Sequence, residues 1–198
     1  MHYAMDTNVP RPEDAAARYS IDVRASTFTV RAFASGVLSA FGHNPTIAIR
    51  DCAGEVRFDP ENLESAWLRM TIRADSLAVT DDVSEKDRQE IESRMKEQVL
   101  EIGEYPEIVY ECSRVSASKT AEGQYWMALN GDLTLHGETH SQAVSARVTV
   151  SGDTVRAFGD FSILQTGYGI TLVSVAGGAI KLKDELKFSF NILARKLE

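Results

Sequence analysis

Cysteine is scarce in this chain of 198 residues: only Cys52 and Cys112 are present, without a second pair at zinc-ligand spacing. That excludes a disulfide-dense scaffold and a cysteine-built metal knuckle. Each cysteine sits in or beside a strand-like run, where a free thiol acts as a small buried hydrophobe, and nothing in the spacing supports a disulfide. Five prolines are spread through the chain, and no Pro/Gly/Ser-rich linker or composition break divides it, so one larger domain is the economical reading. No segment approaches the roughly 20 apolar residues of a membrane-spanning helix, so stable membrane insertion is not expected. The opening residues Met1-His2-Tyr3-Ala4-Met5-Asp6 lack a basic start followed by an apolar stretch. A cytoplasmic location is the expectation from that start.

Positive charge is also in deficit, with 21 Lys and Arg against 29 Asp and Glu and a net charge of −8. Nucleic acid and anionic membrane surfaces are therefore repelled, and the charge serves solubility. Catalytic signatures are missing too. There is no Gly-x-Ser-x-Gly elbow, no phosphate loop and no Cys-x-x-Cys, while Gly177-Gly178 lacks the strand and helix context of a nucleotide site. The sequence gives no reason to expect an enzyme or a cofactor.

What the chain does have is alternation. In Leu186-Lys187-Phe188-Ser189-Phe190-Asn191-Ile192 every second residue is apolar, which puts one greasy and one wet face on a strand. Leu68, Met70 and Ile72 repeat the pattern, as do Val144, Ala146, Val148 and Val150. Residues 1–18 carry Pro, Asp, Glu and Ala without a period and read as a loose arm, leaving 19–198 as the folded domain. Strand runs are predicted over 26–34, 46–51, 53–58 and 66–74, then over 107–116, 124–135, 142–150, 154–164, 168–173 and 185–195. Between the two groups, Ser84 is an N-cap with Asp87 three positions on. Ile91, Met95, Val99 and Ile102 then fall at helical intervals. The charged residues from Glu85 to Glu97 on the other faces read as a solvated surface.

Short connections such as Ser151-Gly152-Asp153 make the sheet antiparallel. Eight or more strands must close or split into two layers, and closure removes exposed edges. The predicted fold is all-β: an eight-stranded antiparallel barrel with one α-helix, of the lipocalin-like or streptavidin-like kind. Such a barrel is either filled by its own side chains or holds one small ligand.

Three stretches resemble the YceI-like proteins, a family associated with binding polyisoprenoids and other lipids inside an extended, lipocalin-like barrel. Asn130-Gly131-Asp132-Leu133-Thr134-Leu135-His136-Gly137-Glu138-Thr139 is similar to the family's Gly-x-Leu-Thr-hydrophobic-x-Gly-x-Thr strand and turn. Glu104-Tyr105-Pro106-Glu107-Ile108-Val109-Tyr110-Glu111 resembles its Tyr-Pro-x-Ile-x-Phe entry after the helix, and Lys183-Asp184-Glu185-Leu186-Lys187 its Asp-x-Val opening of the last strand. The order of these pieces covers the chain from about Tyr19 onward. One departure is Leu164-Gln165-Thr166-Gly167-Tyr168-Gly169-Ile170, where relatives often carry an Asn-Arg pair before the aromatic-Gly turn and this chain has no Arg. A second expected departure is a start without an export signal, since many relatives are exported. The resemblance implies a protein that binds, transports or sequesters a lipid-like apolar molecule, with an isoprenoid as the family's suggestion.

On this reading the inward positions Phe28, Val30, Leu68, Met70, Ile72, Tyr110, Leu129, Phe188 and Phe190 are the ligand-binding set. The same residues serve equally as plain core, in which case the protein is an interaction module with a filled barrel, consistent with a homodimer. His43, between Gly42 and Pro45 in a loop, offers a polar contact for a head group or simply fixes its turn. A third, chemical alternative is a metal-dependent enzyme using His136, Glu138 and His140, which on a regular strand share one face and offer two imidazoles and a carboxylate to a divalent metal for hydrolysis or oxygen chemistry. Gly137 weighs against it, because a glycine there favours a turn that breaks the alternation.

Overall fold

The computed structural model describes residues 16–35, 44–175, 177 and 180–198. His43, most of the predicted arm and part of the Gly177-Gly178 stretch lie outside them. The described strands are β1 (Ala17–Ile21), β2 (Thr27–Arg31), β3 (Ala34–Ser35), β4 (Thr46–Ile49), β5 (Cys52–Phe58), β6 (Trp67–Arg73) and β7 (Leu77–Val79). After the helix α1 (Glu85–Arg94) come β8 (Glu107–Ala121), β9 (Gln124–Leu135), β10 (Glu138–Ser151), β11 (Thr154–Leu164), β12 (Ser174–Val175), β13 (Ile180–Leu182) and β14 (Glu185–Lys196). Eight of them close a ring in the order β1-β5-β6-β8-β9-β10-β11-β14, with β14 returning to β1, and every pairing in it is antiparallel. Short polar turns join the long strands, so each follows its neighbour around the wall.

Three of the early strands are broken in two, and the breaks shape the barrel. β1 lies beside the end of β14, at Ala194 to Lys196, whereas β2 lies beside its first half, at Lys187 to Asn191. Between them Asp22 caps a 3₁₀ turn at Val23–Ala25 by accepting hydrogen bonds from the Arg24 and Ala25 amides. The turn is stapled to β14, because Asp22 also meets Arg195 at 2.7 Å and the Leu193 amide donates to Ser26 Oγ at 2.9 Å. Arg50 and Asp51 separate β4 from β5, and a 3₁₀ turn at Ala74–Ser76 divides β6 from β7. The first halves and second halves therefore form separate belts, β1-β5-β6 at one end and β2-β4-β7 at the other.

The second belt stops at β7, which pairs with β4 on one edge and, among the described residues, with no strand on the other. Helix α1 takes the place of the missing strand. Glu92 accepts the Val79 amide at 2.8 Å, and Arg88 donates to the carbonyls of Val79 and Asp81. One turn of helix thus satisfies the edge groups that a strand would otherwise have paired. The expectation of a wholly solvated charged surface on this helix is corrected at Arg88 and Glu92, whose side chains reach back to backbone. Beyond Arg94 the helix widens into a π turn at Met95–Val99, closed by the Leu100 amide bonding to the Met95 carbonyl at 2.9 Å. That extra residue lets both Met95 and Leu100 turn inward and become buried.

Two further differences from the sequence reading have local causes. The run predicted as a strand over 168–173 instead begins with a 3₁₀ turn, Gln165–Tyr168, which ends at Gly169 with φ of 69°. A left-handed residue stops the extended chain there, and the two-residue strand β12 follows only at Ser174. In β8 the buried residues shift from Cys112 to Val115, across a bulge between Cys112 and Arg114. One extra residue reverses the alternation, which is why the run reads as ending near Ser116 although the strand continues to Ala121.

Glu92→Leu is expected to leave the Val79 amide without its acceptor and to lower unfolding stability by about 1–3 kcal/mol. Denaturant titration would show it as a lower midpoint at constant slope. An unchanged midpoint would mean that the helix does not close the edge of β7.

Candidate functional site

The two ends of the barrel differ. At the β1-β5-β6 end Phe58 is 2% exposed and meets Tyr125 edge-on at 5.4 Å between ring centroids, while Cys112 is fully buried. That end is packed shut. Beyond this floor, whose Phe58 belongs to its lining, the side chains stop short of filling the interior and leave a cavity of about 470 Å³ that reaches the β2-β4-β7 end and α1. This lies within the usual 300–1,000 Å³ of small-molecule sites. The filled barrel expected as an alternative is therefore not what is found.

All nine inward positions named from the sequence, Phe28, Val30, Leu68, Met70, Ile72, Tyr110, Leu129, Phe188 and Phe190, line this cavity. Four phenylalanines form one wall. Phe161 stacks on Phe188 with centroids 4.6 Å apart and planes 9° from parallel, and Phe28 sets its edge against Phe188 and Phe190 at 6.1 and 6.2 Å. Gly159 stands opposite Phe190 in register, and a Cβ there would come within 3.0 Å of the Phe190 ring. A Cβ there would also run into the Ser145 carbonyl oxygen, so a side chain at Gly159 would force the β10 backbone away as well as crowd the ring.

Sequence reasoning missed Phe161, although it follows Val155 and Ala157 at the same period-two spacing, and it missed Gln165 entirely. It also missed the helix residues Asp87, Glu90, Ile91 and Arg94, which with Lys181 and Leu182 line the cavity at its mouth. Asp87, Glu90 and Arg94 are thus rim residues as well as surface charges, and Arg94 is paired with Glu90 at 2.9 Å. No periodicity marks them, because their position follows from the helix replacing a strand.

Polar groups within the lining are few and held. Tyr110 lies close to two acceptors, the carbonyls of Leu129 and Gln142 at 3.3 and 3.1 Å. Burial, reinforced by the neighbouring Cys112, pushes its phenol upward from the ordinary value, so it stays neutral at any ordinary pH. Burial likewise raises the Cys112 thiol. Both groups are inert in the site. Gln165 is 3% exposed and donates from Nε2 to the Lys183 carbonyl at 2.9 Å.

The residues weighed for metal binding do not share a strand face. His136 and Gly137 form the tight turn between β9 and β10, with φ of 53° and 77°, so the alternation is broken between His136 and Glu138. His136 faces Glu101 at 2.7 Å through Nε2 and the Tyr168 carbonyl at 3.2 Å through Nδ1. His140 sits edge-on against the Tyr168 ring at 5.1 Å. Among the described residues no group of three His, Cys, Asp or Glu side chains is placed to hold a metal ion. None of their helices is long and apolar enough to cross a membrane.

Closed walls around an apolar cavity define the fold as a barrel of the ligand-enclosing kind. The chain belongs to the YceI-like domain family, whose model matches residues 19–194. Similar solved structures include Burkholderia cenocepacia BcnA, at 16% identity and a TM-score of 0.66 over 87% of this chain and 98% of that one. A polyisoprenoid-binding domain from Saccharophagus degradans, implicated in plant cell wall breakdown, aligns at 12% identity with a TM-score of 0.63 over 90% and 98%. A Campylobacter jejuni YceI protein aligns at 15% identity with a TM-score of 0.57 over 79% and 88%. At these identities the likeness is one of fold. No curated protein matches the chain.

Ala157 lines the cavity, so Ala157→Leu is expected to grow into empty space. Thermal stability should hold or rise, and uptake of an apolar probe should fall. A loss of about 1–3 kcal/mol, the usual result of overpacking a filled core, would contradict the cavity.

Proposed function

We propose that this protein binds a lipid-like apolar molecule in the barrel and carries or sequesters it by burial, with no chemical step. The observation that carries the reading is the cavity of about 470 Å³ walled by aliphatic and phenylalanine side chains, open beside α1. Each methylene moved from water into such a lining contributes about 0.8 kcal/mol, so a ten-carbon stretch offers roughly 8 kcal/mol before ordering costs. Micromolar binding then needs few polar contacts. Met70 and Met127, both in the lining, suit chains of several shapes.

An isoprenoid is the specific cargo we favour. Membership of the YceI-like family supports it, as does the likeness in fold to a domain described as polyisoprenoid-binding. The branched, semi-rigid chain of an isoprenoid also matches a pocket that combines a stacked aromatic wall with Ile, Val and Leu. Cys52 and Cys112 are both free, which supports a reducing compartment and hence the cytoplasm as the place of work.

Native mass spectrometry of freshly purified protein, followed by organic extraction, tests the reading. A discrete apolar mass at near-unit stoichiometry is expected. A bare chain that also takes up no added isoprenoid would overturn the proposal.

A further inference from the structure

Gln165 is the polar side chain in the lining whose bonding is incomplete. Its amide orientation is fixed, because Nε2 donates to the Lys183 carbonyl at 2.9 Å and a carbonyl can only accept. Among the described residues nothing donates to its Oε1. Yet among the described residues no buried side-chain nitrogen or oxygen shut off from open space lacks a partner. Oε1 of this 3% exposed residue is therefore not sealed off, and the space that Gln165 lines is the cavity.

The backbone holds that oxygen in place. The Gln165 amide donates to the Asp184 carbonyl at 3.0 Å, and its carbonyl accepts from Ile170. Asp184 also takes the Thr166 amide at 2.8 Å and the Thr166 hydroxyl at 2.6 Å, and these bonds keep its carboxyl below the ordinary carboxylate range. An acceptor fixed before the ligand arrives gains affinity for a donor without a further ordering cost.

Resting on the carrier reading, we infer that the cargo is an uncharged amphiphile whose hydroxyl donates a hydrogen bond to Gln165 Oε1 while its chain lies along the phenylalanine wall. An ionised head is disfavoured at this depth. The cations of the lining stand at the mouth and not at this depth: Lys181 is exposed, and Arg94 is paired with Glu90. A pure hydrocarbon fits the walls but leaves Oε1 without a donor.

Equilibrium binding of farnesol, farnesyl methyl ether and farnesyl phosphate to delipidated full-length protein tests this, in the native chain and in Gln165→Met. Farnesol is expected to bind about tenfold more tightly than the ether or the phosphate, the usual contribution of one buried hydrogen bond. In Gln165→Met the preference over the ether should vanish while ether affinity is kept. Equal affinities in the native protein, a preference for the phosphate, or a farnesol preference that survives in Gln165→Met would overturn the inference and leave the carrier reading intact. Failure of all three to bind would remove the carrier reading and this inference with it. Should Gln165→Met not fold, the native ranking of the three probes decides alone.

Discussion

Everything in this molecule depends on β14 being paired along its whole length. On one edge β11 runs beside it from Leu164↔Glu185 to Thr154↔Arg195, and on the other β2 and β1 follow one another. An antiparallel sheet of this size with a free edge would expose a row of amides and carbonyls to any other chain. Pairing β14 with β1 removes that edge and at the same time fixes the circumference. Once eight strands set the circumference, the interior volume follows, and what remains to be decided is how much of it the side chains occupy.

The occupancy is uneven, and the broken strands explain why. At the β1-β5-β6 end the ring is complete, and Phe58, Tyr125 and Cys112 pack across it. At the other end no described strand lies beyond β7, and the helix α1 completes the wall through Arg88 and Glu92. Bulky side chains at that end line the space without meeting across it. The chain thus builds a closed floor and an open neck from one sheet by interrupting three strands. Polar groups are distributed to match, with charges at the rim, one fixed amide inside and a phenol already engaged by carbonyls.

Much of this was legible in the sequence, and the part that was not has physical reasons. Strict alternation in β6, β10 and β14 marked their inward faces, and all nine residues named as inward line the cavity. Alternation fails where one residue is inserted, so the bulge in β8 hid the last third of a long strand. It fails in two- and three-residue strands such as β3, β7, β12 and β13, which are too short to show a period. The run from Gln165 to Val173 carries strand-forming residues, yet Gly169 in the left-handed region and the clamp from Asp184 override that propensity. Gln165 itself gave no signal, because an isolated glutamine between a leucine and a threonine reads as surface.

The central claim is that the barrel encloses a dry apolar space. At about 30 Å³ each, more than ten waters would fit the cavity's volume of about 470 Å³, but the lining offers them too few hydrogen-bond partners. Diffraction from crystals of delipidated protein under xenon pressure tests this most directly, since xenon enters apolar cavities that water leaves empty. The account predicts xenon density inside the barrel against the rings of Phe161 and Phe188. A chain of ordered waters in that position, or side chains closed across it, would contradict it.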